Sequence, residues 1–314
     1  MRCLCCNKEI NVADVESVRI GWHKKCVKKF FGTEHLPELD IDDETFEKMA
    51  DAAVNKGLTI PGVQKKLSVH LSRDAGVSKL TIIDYPAGYI IKPQSAIYKY
   101  LPEAEFMVMK MAEAIGIKTV PCALIKTDGS YTYITKRVDR NKSKMLAMED
   151  FCQLSERMTS DKYRGSYENC GKVIKKYSQN IGIDLAELYY RLLFCFVTGN
   201  SDMHLKNFSL IENAPGNRIY GLSPAYDLLP VNLLLPEDLD QMALSLNGKK
   251  RNIRKKDWMI LADNFGLTER VATNLIGKIK GAKDVIINEI GFSYLPEKMK
   301  EDMIKIVEAR MAVI

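Results

Sequence analysis

The sequence lacks the segments that carry a chain into or through a membrane. No N-terminal run has the basic, apolar and small-residue layout of a secretory leader. The most apolar stretch, Leu185–Thr198, is too short for a bilayer span and carries Glu187 and Arg191. These absences give the expectation of a cytoplasmic protein with no membrane partner. No internal repeat or low-complexity stretch is visible. Nor do the cysteines form a disulfide framework. Cys122, Cys152, Cys170 and Cys195 are scattered among apolar neighbours and read as reduced core residues. Charge of one sign is in mild excess only, +6 over 314 residues, which suits an anionic ligand or nucleic acid without requiring either. With 46% hydrophobic and 27% charged residues, the chain is an ordinary folding sequence with room for two or three domains or one two-lobed domain.

What is present begins with the other four cysteines, all within the first 26 residues. Cys3-x-x-Cys6 and His23-x-x-Cys26 are two ligand pairs with the spacing of a small zinc site, and Cys5 is a spare that could replace Cys6. Four sulfur and nitrogen ligands suit tetrahedral zinc, and filling all four positions makes such a site structural. A segment this short can hardly form its own core, so a metal staple makes physical sense. The alternative is a few reduced thiols beside a surface histidine. A Pro- and acid-rich linker follows from Gly32 to Asp43, then a short helix over 44–55 with Phe46, Met49 and Ala53 on one face.

The stretch on which the rest is centred is Thr198-Gly-Asn-Ser-Asp202-Met-His204-Leu-Lys206-Asn207, a polar loop between an apolar helix and the strand-like Phe208–Ile211. Asp202 and Asn207 are five apart. In protein kinases a loop Asp accepts the proton of the substrate hydroxyl, and an Asn five residues later holds magnesium. Lys206 could neutralise a transferring phosphoryl group. The bland reading is a turn whose polar side chains bond their own backbone. Other features fall in kinase order. Pro61-Gly62-Val63-Gln64-Lys65-Lys66, before the alternating Leu67, Val69 and Leu71, could cover a phosphate, or be an ordinary turn. Lys92 ends an apolar strand and needs a partner for its charge. Glu105 sits in the first turn of a helix over 103–116, where it could pair with that lysine or simply favour the helix dipole. Two strands, 120–125 and 131–136, precede Glu149-Asp150-Phe151, the place where a two-lobed kinase reads adenine through its backbone. Asp184-Leu-Ala-Glu187 reads as a capping box opening the apolar helix. Asp227, just after a strand over 218–222, is a second carboxylate for magnesium or the cap of a helical turn over 228–233. A basic run, Lys249 to Lys256, could touch an acidic partner or nucleic acid, or be a solvated face as most charge runs are.

This ordered set resembles the HipA family of serine/threonine kinases, the toxins of toxin–antitoxin modules. The motifs that carry the resemblance are Thr59-Ile-Pro-Gly-Val-Gln-Lys-Lys66, Ile90-Ile-Lys92-Pro, Lys136-Arg-Val-Asp-Arg140, Met148-Glu-Asp-Phe-Cys-Gln153, Gly199 to Asn207 and Tyr226-Asp227. It implies an α+β, protein-kinase-like two-lobed fold (HipA-like), with a small N-terminal zinc-binding segment (1–35), an N-lobe (44–150) and a helical C-terminal lobe (151–314). It implies ATP and magnesium as cofactors, beside the zinc read from the Cys/His pairs. Asp202 becomes the proton acceptor; Asn207 and Asp227 hold magnesium. Lys92, His204 and Lys206 meet the phosphates, Pro61 to Lys66 cover the nucleotide, and Glu149 to Phe151 meet adenine. Thr59 aligns with a loop serine that the family autophosphorylates to switch itself off. The implied partners are a protein substrate, with a translation factor such as glutamyl-tRNA synthetase the family's best-known target, and an antitoxin through which alone DNA would be met. There are departures: larger members begin with an antitoxin-binding subdomain where this chain has its Cys/His segment. Ala147 stands where a His is common, and Val63 and Lys65 where a small residue and Glu are common. The same constellation would also serve a small-molecule kinase of similar fold, or a non-catalytic nucleotide-binding subunit of a repressor complex.

Overall fold

A computed structural model describes residues 1–39, 66–74, 77–81, 88–95, 97–127, 129–141 and 144–314. The helix expected over 44–55 and the loop from Thr59 to Lys65 lie outside the described residues. The chain divides into two units, Met1–Phe106 with Val120–Arg137, and Met107–Thr119 with Val138–Ile314.

The first unit is built on a six-stranded sheet. Its strands are β1 (Glu38–Leu39), β2 (Leu67–Asp74), β3 (Val77–Thr81), β4 (Tyr89–Lys92), β5 (Cys122–Thr127) and β6 (Ser130–Lys136), in spatial order β1-β3-β2-β4-β6-β5. All neighbours are antiparallel except β1 and β3. The alternation read at the start of β2 holds: Leu67 and Val69 are buried and Ser68 is exposed. β5 differs, with Cys122 to Ile125 buried as an unbroken run. A strand covered on both faces loses its alternation.

The cover of β5 includes the Cys/His segment. It holds two short helices, α1 (Val15–Ile20) and α2 (Lys24–Phe31). Asp14 caps α1 through Ser17 N at 3.1 Å, and Gly21 ends it at a φ of 74° that favours glycine. Outward from the sheet, Leu124 N donates to Leu4 O (2.8 Å) and Leu124 O accepts from Trp22 Nε1 (3.1 Å). The free side of an edge strand is thus occupied by the segment's own polar groups. Trp22, Phe30, Phe31 and Tyr89 of β4 form one aromatic cluster with centroids 4.8–5.8 Å apart, and Tyr89 Oη donates to Phe30 O. Each buried Phe is worth about 2–3 kcal/mol, so the segment shares the core of the sheet.

The second unit starts within α3 (Leu101–Ala114), which is divided between the units at Phe106. A hairpin, β7 (Arg140–Asn141) and β8 (Lys144–Met145), precedes a three-stranded antiparallel sheet of β9 (Met148–Asp150), β10 (Ser209–Glu212) and β11 (Tyr220–Leu222), ordered β11-β10-β9. Helices α4 (Phe151–Leu154) and α5 (Tyr167–Tyr177) lead to α6 (Ile181–Val197), whose residues from Leu188 to Val197 are all buried. After α7 (Val231–Leu234) come α8 (Lys255–Phe265), α9 (Glu269–Gly281), α10 (Lys283–Gly291) and α11 (Glu297–Met311). α6 begins a turn earlier than its expected capping box. Asp184 lies inside it and accepts from Ser178 Oγ (2.5 Å) and Leu222 N (2.8 Å), fastening the helix to β11 instead of capping it. The basic run is partly neutralised, Lys249 by Asp257 and Arg251 by Asp240.

Candidate active site

In the first unit, Lys92 ends β4 and is buried. Its Nζ lies 2.7 Å from Glu105 Oε1 and 5.4 Å from the centre of the Tyr133 ring. Neither partner of this pair reaches solvent appreciably, at 3% and 0% exposure, so neither charge is stable in that place without the other. A second buried carboxylate lies nearby in sequence. Glu103 accepts from Gln94 Nε2 at 2.7 Å, and burial pushes its carboxyl above the usual range. Gln94 and Glu103 carry no periodic signal and the sequence reading passed over them. Lys66, the described end of the phosphate-loop motif, is exposed.

In the second unit, the polar loop leaves α6 at Gly199. Its φ is 66°, and a Cβ there would meet Ile306 and Asn232 side-chain atoms at 3.1 and 3.3 Å, so only glycine fits. Asn200 is buried and accepts from Asp202 N at 3.1 Å. Asp202 O in turn accepts from His204 N (2.8 Å) and from Asn207 Nδ2 (2.9 Å). The five-residue spacing is therefore closed by a direct bond between the two residues it singled out. The Asp202 carboxylate accepts from Tyr163 Oη at 2.5 Å. Burial raises its proton affinity above that of an ordinary aspartate; Tyr163 and Lys162 pull it down, while Asp227 and Asp238 push it up. His204 is buried, and burial, then Lys162, lowers it to about 4, so it is neutral at pH 7.

Lys206 Nζ lies 2.8 Å from Asp150 Oδ2. The other oxygen of Asp150 accepts from Gln153 N (2.9 Å), and Gln153 Oε1 accepts from Asp150 N (3.0 Å), a capping box that opens α4. Phe151 is buried against Phe208 and donates its backbone N–H to Phe208 O at 2.9 Å. The N–H groups of Asp150 and Phe151 are thus already taken, which leaves them nothing to donate to a base. Asp227 has a φ of 53°, the left-handed region that aspartate tolerates better than most residues. It caps no helix, since α7 starts only at Val231 after Pro230. The preceding Tyr226 fixes it to the loop, with its hydroxyl 2.6 Å from Ser209 Oγ and donating to Lys206 O at 3.2 Å. Asn207 spends its amide nitrogen on Asp202, so the ligand atom it offers is its oxygen. Asn207 oxygen and Asp227 carboxylate are the hard oxygen donors that magnesium prefers.

Residues 58–286 match the family of HipA-like C-terminal domains. The chain belongs to the HipA-like family. It is 32% identical over 229 residues to the candidate kinase Y4dM of Sinorhizobium fredii, a match covering 68% of this chain and 55% of that protein. A candidate kinase of Haemophilus influenzae is 25% identical, with 88% of each chain covered. The serine/threonine-protein kinase toxin HipA of Shewanella oneidensis is 23% identical over 76% of this chain and 58% of its own. The same HipA, solved with HipB and operator DNA, superposes with a TM-score of 0.68 at 19% identity, covering 81% of this chain and 64% of that one. The chain thus spans little more than half of two of these HipA-like relatives, and the α+β fold is the one they share.

The Cys/His segment carries its own site. One ligand atom from each of Cys3, Cys6, His23 and Cys26 lies within 4.8 Å of every other. His23 Nε2 is 2.9 Å from Glu9 O, which fixes the tautomer and leaves Nδ1 facing Cys6 Sγ at 3.4 Å and Cys26 Sγ at 3.8 Å. Cys3 Sγ accepts from His23 N. No disulfide joins these cysteines, and Cys5 stands outside the group. The set is Cys3His, closed on all sides.

Proposed function

We propose that this chain is an ATP- and magnesium-dependent kinase that transfers the γ-phosphate to a serine or threonine hydroxyl of a protein. The observation that carries the reading is the bonded pair Asp202–Asn207, with Asp227 near enough to alter the Asp202 carboxylate. Asp202 takes the proton of the acceptor hydroxyl as its oxygen bonds to the γ-phosphorus and ADP departs. Asn207 and Asp227 hold magnesium, which supplies neutralising charge to the phosphates when bound. Lys92, oriented by Glu105, and Lys206, oriented by Asp150, bind phosphate oxygens. His204, kept neutral, adds no charge of its own. Pro61 to Lys66 cover the nucleotide, and Thr59 is the self-inhibiting phosphorylation site. Zinc at Cys3, Cys6, His23 and Cys26 is structural, since the donor set has sulfur and nitrogen in every position.

The partners proposed are a protein acceptor, with a translation factor such as glutamyl-tRNA synthetase the first to try, and an antitoxin that links the chain to DNA. The Shewanella relative's complex with HipB and operator DNA supports the latter. Among the described residues no helix is long and apolar enough to cross a membrane, which is compatible with action in the cytoplasm.

The test is incubation of the full chain with γ-labelled ATP and magnesium, beside Asp202→Asn, followed by phosphopeptide mapping. Label in the wild type, reduced about 10²–10⁴-fold in the variant, is the expected result. Equal labelling of both proteins would remove Asp202 from its role. Absence of label from a protein that binds ATP would favour the non-catalytic subunit, and transfer only to small alcohols the small-molecule kinase.

A further inference from the structure

Tyr163 lies in the polar connection between α4 and α5, 39 residues before Asp202. No motif marks it. Its hydroxyl nevertheless bonds Asp202 Oδ1 at 2.5 Å. The ring is held on two sides, edge-on to His204 at 4.9 Å between centroids and under Lys162 Nζ at 5.0 Å. Its backbone neighbourhood is tied down as well, by Cys152 Sγ to Met158 O and by Leu205 N to Lys162 O. The proton acceptor of the proposed reaction is thus already bonded to a hydroxyl, and that hydroxyl belongs to the chain itself.

We infer that Tyr163 occupies the acceptor-hydroxyl position on Asp202, so that an incoming hydroxyl must displace it before transfer. This rests on the kinase reading given above. The chemistry is like for like: a phenol O–H donates to a carboxylate as a serine, threonine or water O–H does. Burial, then Asp202, keeps the phenol protonated far above neutral pH, so it stays a donor. The residue is 44% exposed at the surface, so its ring has solvent to move into. Tyr163 is in this sense a positioning residue that sets access to the base, one that favours acceptors with enough binding energy to push it aside and disfavours bulk water.

Water itself is the probe, because it needs no knowledge of the natural substrate. In ATP hydrolysis a water oxygen bonds to the γ-phosphorus, Asp202 receives a proton from that water, and the bond to the ADP oxygen breaks. Full-length Tyr163→Phe, with magnesium and ATP, is expected to release ADP on the order of ten to a hundred times faster than wild type, the scale of one lost bond to a charged group. Its affinity for ATP should be unchanged. The gain should fall on kcat alone, with KM for ATP unmoved, a split that a merely structural loss would not give. Turnover in both proteins but no faster in Tyr163→Phe would overturn the inference and leave the kinase reading standing. No turnover in either, with ATP bound, would also overturn the inference, and the labelling experiment under the proposed function then decides the kinase reading on its own. Phosphate found on Tyr163 would overturn the inference in favour of an intramolecular acceptor.

Discussion

At Asp202, position works against stability. A carboxyl whose proton affinity is raised in the fold contributes stability only below its unfolded value, and that contribution is lost as pH rises through the folded value. At neutral pH the buried, ionised Asp202 therefore costs folding free energy, with Asp227 and Asp238 adding to the cost. Asp202→Asn keeps an oxygen for Tyr163 and sheds the charge. It is expected to slow transfer about 10²–10⁴-fold and to raise the melting temperature by about 2 °C at pH 7, with the gain shrinking as the pH is lowered. A calorimetric scan that shows no gain would mean the carboxylate is better solvated than its burial suggests. The Lys92–Glu105 pair behaves in the opposite sense. Lys92→Ala strands Glu105 in the core and should cost about 3–5 kcal/mol in a denaturant titration, whereas the double change Lys92→Met with Glu105→Leu should recover most of that while still failing to bind ATP tightly. The carboxylate, the amide and the lysines were legible because their chemistry is rare in apolar company at such spacing. Tyr163 and the hold of Asp150 on Lys206 were not, since each lies far in sequence from the partner it touches, and Gln94 was not because a lone amide outside any motif carries no signal.

Among the elements, the Cys/His segment shows where a sequence pattern stops. Cys3, Cys6, His23 and Cys26 could be picked out by spacing. Their attachment to β5 could not, because Leu124 donates to Leu4 through backbone groups that every residue possesses, and Trp22 signals only burial. The start of α6 was misplaced for a related reason. Asp184 has the right neighbours for a cap, but its carboxylate finds the backbone of β11, 38 residues on. The segment's helices bury Phe30 and Phe31 against Tyr89, three residues before Lys92 on the same strand. Removal of the zinc proposed there with a thiol-competent chelator is therefore expected to lower the melting temperature by about 5 °C or more and to red-shift Trp22 fluorescence in a Trp258→Phe background. It should also weaken ATP binding. An unchanged melt after metal removal would show that the aromatic cluster suffices alone.

For the whole molecule, phosphorylation of Thr59 as proposed would make activity self-limiting. Wild-type labelling should rise quickly and then stall as Thr59 fills, whereas Thr59→Ala should continue at its initial rate. Matching progress curves would remove Thr59 from the scheme. The order of Lys92, Glu105, Asp202, Asn207 and Asp227 along the chain made the HipA-like fold legible in the sequence. The division of α3 between two units was not, because its apolar residues surround it on most sides and name no partner.

The bonding of Leu124 to Leu4 and Trp22 also has a consequence outside the single molecule. An unoccupied strand edge is a template for another chain. A preparation stripped of metal, or with its thiols oxidised, would expose β5 as an open edge. Its first symptom would then be concentration-dependent association, seen as scattered light well before secondary structure is lost.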